Sequence, residues 1–89
     1  MFAQEVCRRA VELLGGTRAR DYGDPRELHG VVAALWSAYL GHAITAHDVA
    51  LMMVLLKVGR AKAGRFNLDN YVDAAGYAGI AGGLAANDS

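Results

Sequence analysis

Two basic residues, Lys57 and Arg60, follow the most apolar stretch of the chain, which spans residues 49–56 without a polar side chain. A helix that is apolar on all sides is typical of a buried helix. Charges on such a helix destabilise the fold unless they are paired or solvated. The alternative is a solvated helix end, where positive charge complements the helix dipole. Residues three apart project from one side of a helix, so this pattern indicates cationic groups that need an acidic side chain or an anionic ligand.

Acidic counterparts occur in the last apolar segment. Asp69, Asp73 and Tyr77 fall at i, i+4 and i+8 and would share one helix face. Asp69 is equally well explained by its place in a first helical turn, where negative charge complements the helix dipole. Asp73 lies beyond that turn, and we expect it to pair with Lys57 or Arg60. The sequence leaves open whether that pair is structural or binds a ligand.

A polar loop before the second apolar segment offers further candidates. The ring of Tyr22 stands beside a glycine and near several arginines, so it could stack a base while Arg20 holds a phosphate. The alternative is a turn in which Asp24 caps a helix that begins at Pro25. We include Arg20, Asp21, Tyr22 and Asp24 among the candidate ligand-binding residues.

Asp48 and the three histidines are the remaining polar candidates. Asp48 follows Thr45 by three residues, which is the spacing of a capping box and explains Asp48 best. The three histidines lack the spacing of a metal-binding pair on one helix. We therefore predict no resident metal or other cofactor.

Four helices must position these residues. Apolar periodicity and stop signals predict helices over residues 2–14, from 25 to about 40, from 45 to 62, and from 67 or 68 to about 84. No run of alternating polarity is long enough for a strand. The predicted fold is an all-α, four-helix bundle-like single domain over residues 1–89. Its third helix would be its centre, wrapped by the others.

The last helix carries four glycines, at positions 76, 79, 82 and 83. Each destabilises a helix interior by roughly 1 kcal/mol relative to alanine. We expect another helix to approach closely at these positions, within the chain or across an interface.

Composition narrows the class of protein. The 89 residues are 54% hydrophobic, more than a domain of this size can hide, and this favours a homo-oligomer. The formal net charge of zero argues against DNA or RNA polymers as partners. The apolar stretch is too short and too charged at its ends for a membrane span. No secretory signal is visible, and the single Cys7 fits a reducing compartment, so we expect a cytoplasmic protein.

The order of these motifs is familiar. It reads Arg20-Asp21-Tyr22-Gly23-Asp24-Pro25, Leu35-Trp36, Tyr39-Leu40-Gly41, Ile44-Thr45, Asp48-Val49, Lys57 and Arg60, and Asp69 and Asp73 with Gly76-Tyr77. Over residues 18–84 it resembles a small family of phage and prophage proteins of unknown function. It is more loosely similar to nucleotide-modification-associated domain 1, and more weakly to the MazG-like all-α NTP pyrophosphohydrolases. The resemblance implies phage handling of nucleotides in the host cytoplasm.

We therefore expect a phage-type nucleotide-binding protein that holds a small ligand rather than transforming it. In a phage this could mean sequestering a cyclic nucleotide or an ADP-ribose-like signal of host defence. The expected ligand-binding residues are Arg20, Asp21, Tyr22, Asp24, Lys57, Arg60, Asp73 and Tyr77.

Two alternatives stay open. The first is a magnesium-dependent, MazG-like pyrophosphohydrolase with Asp48, Asp69 and Asp73 as ligands. Its family needs two carboxylates on the central helix, where this chain has only Asp48. The second is a structural or interaction module without a ligand.

Overall fold

A computed structural model describes residues 2–16 and 23–88 of the chain. Helices α1 (Phe2–Gly15), α2 (Pro25–Leu40), α3 (Ala46–Ala63) and α4 (Leu68–Asp88) account for most of these residues. No strand occurs within the described ranges. The predicted all-α class with four helices is confirmed.

Short-range hydrogen bonds fix where the helices begin and end. The Asp24 carboxylate accepts a hydrogen bond from the backbone N–H of Arg26 at 2.9 Å, and Gly41 ends α2 with φ of 76°. At the start of α3, the Thr45 hydroxyl accepts from the Asp48 N–H, and the Asp48 carboxylate accepts from the Thr45 N–H. The backbone hydrogen bond from Thr45 lowers the pKa of Asp48. The predicted caps at Asp24, Thr45 and Asp48 are therefore confirmed.

The pairing of α3 with α4 forms the largest internal contact of the chain. Ala50 of α3 is fully buried beside Ala81 and Leu84 of α4. Further along α3, Lys57 contacts Asp73, which lies earlier in α4, so the two helices run antiparallel. Helix α1 packs on another side of α4, and α2 packs mainly on α3.

The apolar helix α3 is covered on one side only. Val49 and Ala50 are buried, but Leu51, Leu55 and Val58 are 43%, 67% and 53% exposed. Among the described helices, α2 and α4 alone pack extensively against α3, and two neighbours leave part of its circumference open. For the single chain, the prediction that the other helices wrap α3 is wrong. Among the described residues, no helix combines the length and apolarity needed to cross a membrane.

The glycines of α4 divide into two pairs. A Cβ atom at Gly76 would lie 3.4 Å from Leu13 Cδ2, and one at Gly79 would lie 3.2 Å from Leu14 Cδ1. The predicted close approach of another helix is thus confirmed at these two positions, where α1 crosses α4. A Cβ atom at Gly82 or Gly83 would meet no other described residue within 4 Å.

The two pairs of glycines should therefore differ in how much alanine raises the free energy of unfolding. Gly83→Ala should raise the free energy of unfolding by up to about 1 kcal/mol, because alanine restricts the unfolded chain and favours helix. Gly79→Ala should gain clearly less, because Leu14 must shift to accept the methyl group. Urea denaturation of both variants measures the difference. Equal gains would show that α1 does not press on Gly79.

Candidate functional site

A cavity of about 340 Å³ opens where all four helices meet. The end of α1, the start of α2, the second half of α3 and the middle of α4 each contribute side chains. Its lining is mainly aliphatic, with four polar side chains among the apolar ones. The lining residues are Leu13, Leu14, Gly23, Pro25, Leu28, His29, Lys57, Asp73, Gly76, Tyr77 and Ile80.

An ion pair forms the polar wall of this cavity. Lys57 Nζ lies 3.1 Å from Asp73 Oδ2, and the two side chains are only 19% and 18% exposed. The antiparallel packing of α3 on α4 places the two residues opposite each other. The structure thus forms one of the two pairings that the sequence predicted for Asp73. Because the pair is largely buried, loss of either partner should destabilise the fold, since it leaves the other charge buried and unpaired.

His29 is the polar cavity residue that the sequence analysis missed. Its side chain is buried, with 5% of the residue exposed, and its Nδ1 lies 2.7 Å from the carbonyl oxygen of Pro25. Its ring meets the ring of Tyr77 edge-on at a centroid distance of 6.0 Å. The sequence signal that could have identified His29 is a polar side chain on the inward face of α2, one turn after Pro25.

Other predicted site residues lie elsewhere. Asp24 caps α2 and does not line the cavity, although its neighbours Gly23 and Pro25 do. Arg60 is exposed, and its Nε donates to the Asn70 side-chain oxygen at 3.3 Å, beside a separate surface depression. Residues three apart on an α-helix differ in direction by about 60° around its axis. This difference is enough to separate Arg60 from Lys57.

Among the remaining candidates, Tyr77 lines the cavity together with Lys57 and Asp73. Arg20, Asp21 and Tyr22 lie outside the described residues. Their expected roles in stacking and phosphate binding stay predictions.

The alternative magnesium ligands are not assembled in one chain. Asp48 lies in the first turn of α3, nine residues before Lys57, the partner of Asp73. Nine residues of α-helix correspond to about 14 Å along its axis. Asp69 lies one helical turn from Asp73 in α4, on the side away from Asp48. Within the described ranges, no group of three His, Cys, Asp or Glu side chains suits a metal ion.

Sequence comparison gives the family of the chain. Residues 5–85 match a family described as a domain of unknown function, DUF6378. The chain belongs to this family. It is 49% identical over 76 residues to the Gene 55 protein of Mycobacterium phage L5, and 39% identical over 77 residues to the Gene 55 protein of Mycobacterium phage D29.

These matches confirm the predicted resemblance to phage proteins of unknown function. They cover 84% and 86% of this chain but 49% and 51% of the two relatives. The chain therefore spans about half the length of the curated relatives it matches. No solved structure matches it. The looser resemblances to nucleotide-modification-associated domain 1 and to MazG-like enzymes stay predictions.

The ion pair predicts a coupled response to mutation. Lys57→Met should lower the free energy of unfolding by about 1–3 kcal/mol, because it leaves the Asp73 carboxylate largely buried without a counter-ion. Asp73→Leu should be milder, because the long Lys57 stem can carry its ammonium group to water. The double variant should recover most of the loss. A double-mutant cycle in urea measures the coupling, and additive losses would contradict the pairing.

Proposed function

We propose that the cavity binds one small nucleotide-type ligand and holds it without transforming it. The observation that carries the proposal is the Lys57–Asp73 pair, placed in a cavity that is otherwise mainly aliphatic. A few polar groups in an apolar concave site are typical of small-molecule binding sites.

The two walls of the cavity suit the two parts of a nucleotide. Leu13, Leu14 and Ile80 offer apolar contact to a base. The Lys57 ammonium has three N–H donors, of which Asp73 needs one, so the others remain for a phosphate. The carboxylate of Asp73 has further acceptor positions for a ribose hydroxyl. Tyr22 and Arg20, which lie outside the described residues, keep their predicted roles in stacking the base and binding the phosphate.

Cavity size favours a single nucleotide. A volume of about 340 Å³ lies near the lower end of the range of roughly 300–1,000 Å³ for ligand sites. A mononucleotide, linear or cyclic, suits this volume better than a cyclic dinucleotide, and an ADP-ribose-like ligand would extend out of the cavity. In a phage family, holding such a ligand would withdraw a nucleotide signal from host defence.

The competing proposal is a magnesium-dependent pyrophosphohydrolase. Its ligands Asp48, Asp69 and Asp73 are spread along α3 and α4, so a shared ion within one chain requires other donors. This separation favours ligand holding. Release of pyrophosphate from nucleoside triphosphates with Mg²⁺ would instead support the enzyme.

Thermal unfolding with a nucleotide panel tests the binding proposal. The panel contains mononucleotides, cyclic mononucleotides, cyclic dinucleotides and cyclic ADP-ribose isomers. A ligand at 100 times its Kd should add about 2.7 kcal/mol to the free energy of unfolding. Lys57→Met should abolish most of the ligand-induced rise, measured against the ligand-free variant.

The matched control is Lys62→Met, which removes a charge from the exposed last turn of the same helix. It should retain the full ligand-induced rise. Absence of a rise with every nucleotide, or an undiminished rise in Lys57→Met, would overturn the proposed site.

We also propose that the chain self-associates through the outer face of α2 and α3. The chain exposes 6241 Å². A folded monomer of 9.4 kDa exposes about 5,000 Å² by the usual scaling with mass. The difference, roughly 1,200 Å², exceeds the area of about 800 Å² that each partner contributes to a standard interface.

The composition of this outer face supports a second copy as its occupant. Helix α2 has no Asp, Glu, Lys or Arg over residues 28–40, although much of it is exposed. Val31, Leu35 and Tyr39 are 54%, 64% and 88% exposed and follow one another at spacings of four, as on one helix face. Helix α3 also carries exposed apolar residues, including Leu55, and has no charged residue over positions 49–56. Two copies can meet there without repulsion between like charges.

A single substitution on this face should disrupt the assembly. Leu35→Glu should convert an oligomer to a monomer in size-exclusion chromatography with light scattering, because it buries a charge at the interface. Val11→Glu is the control, because Val11 is 70% exposed on α1, away from this face. A monomeric wild-type chain at 100 µM would contradict self-association.

A further inference from the structure

We infer that His29 binds the base of the ligand by presenting an unprotonated Nε2 as a hydrogen-bond acceptor inside the cavity. This inference rests on the proposed function, since it assigns a role within the same nucleotide site. It also adds a chemical requirement, because the bound base must carry an N–H donor.

The orientation of the imidazole determines which nitrogen faces the ligand. Nδ1 lies 2.7 Å from the Pro25 carbonyl oxygen, which can only accept a hydrogen bond, so Nδ1 carries the proton. In the neutral ring, Nε2 then has a free lone pair. No hydrogen bond joins Nε2 to any described residue.

Burial makes this free acceptor informative. His29 is 95% buried and yet lines the cavity, so the cavity is the source of a partner for Nε2. Among the described residues no buried side-chain nitrogen or oxygen lacks a hydrogen-bond partner, so an unbonded Nε2 is itself accessible, and the cavity is the space that His29 lines. A ligand donor at this position would satisfy the ring.

The surroundings of His29 indicate the base rather than the phosphate. Its ring meets the edge of the Tyr77 ring, and Leu28 and Leu13 contribute the neighbouring aliphatic lining. The cationic group of the cavity is Lys57, which already supplies donors for a phosphate. A base presents both an apolar face for the leucines and N–H groups at its edge for Nε2.

Paired ligands that differ in one N–H group test the inference. The probes are AMP with purine riboside 5′-monophosphate, which lacks the amino group, and UMP with its N3-methyl derivative. Isothermal titration should show that removing the N–H donor from the preferred nucleotide weakens binding to the wild type by about 5- to 30-fold, as expected for the loss of one hydrogen bond to an acceptor inside a protein cavity.

Two variants separate the nitrogen from the packing. His29→Asn keeps an N–H donor near the Pro25 carbonyl and lacks Nε2, so it should bind both members of the ligand pair equally. His29→Gln places an amide near the Nε2 position and should restore part of the discrimination. Where a variant does not fold, long-range ¹H–¹⁵N spectra of the wild type decide the tautomer, and a proton on Nε2 would overturn the inference.

The outcomes also distinguish the inference from the proposed function. Equal binding of both ligands of each pair to the wild type would overturn the role of His29 and leave nucleotide binding in place. No binding of any probe would overturn nucleotide binding, and the role of His29 with it.

Discussion

The close contact between α3 and α4 is the constraint on which the rest of the structure depends. Ala50 and Ala81 are nearly fully buried there, and their small side chains let the two helices approach. The antiparallel register then sets Lys57 against Asp73. A shift of one helical turn would bring Lys57 level with Asp69 or Tyr77 instead. The polar wall of the cavity is therefore a consequence of helix packing, before any ligand is considered.

The parts that sequence analysis predicted well are those decided by near neighbours in the chain. The caps at Asp24 and Thr45 depend on residues within three positions, and they form as expected. The pairing of Asp73 was predicted only as a choice between Lys57 and Arg60. These residues differ by about 60° around the helix axis, and only the packing of α3 on α4 determines which one faces inward.

The long apolar run of α3 shows a different limit. Apolar composition indicates that a surface is removed from water, but not whether the same chain or another one covers it. Leu51 and Leu55 meet the sequence criterion for a central helix and are nevertheless exposed in the single chain. The uncharged outer side of α2 has the same property. The proposed self-association would remove both apolar surfaces from water.

Helix α1 connects the family match to the cavity. The motifs recognised in the sequence begin near residue 18, whereas the family match begins at residue 5 and includes most of α1. Leu13 and Leu14 of this helix line the cavity, and their side chains pack against Gly76 and Gly79. Larger residues at the glycines would push α1 away and change the space beside His29 and Tyr77. The glycines of α4, which weaken it as an isolated helix, therefore set the distance between α1 and the ion pair, and this distance determines the size of the cavity.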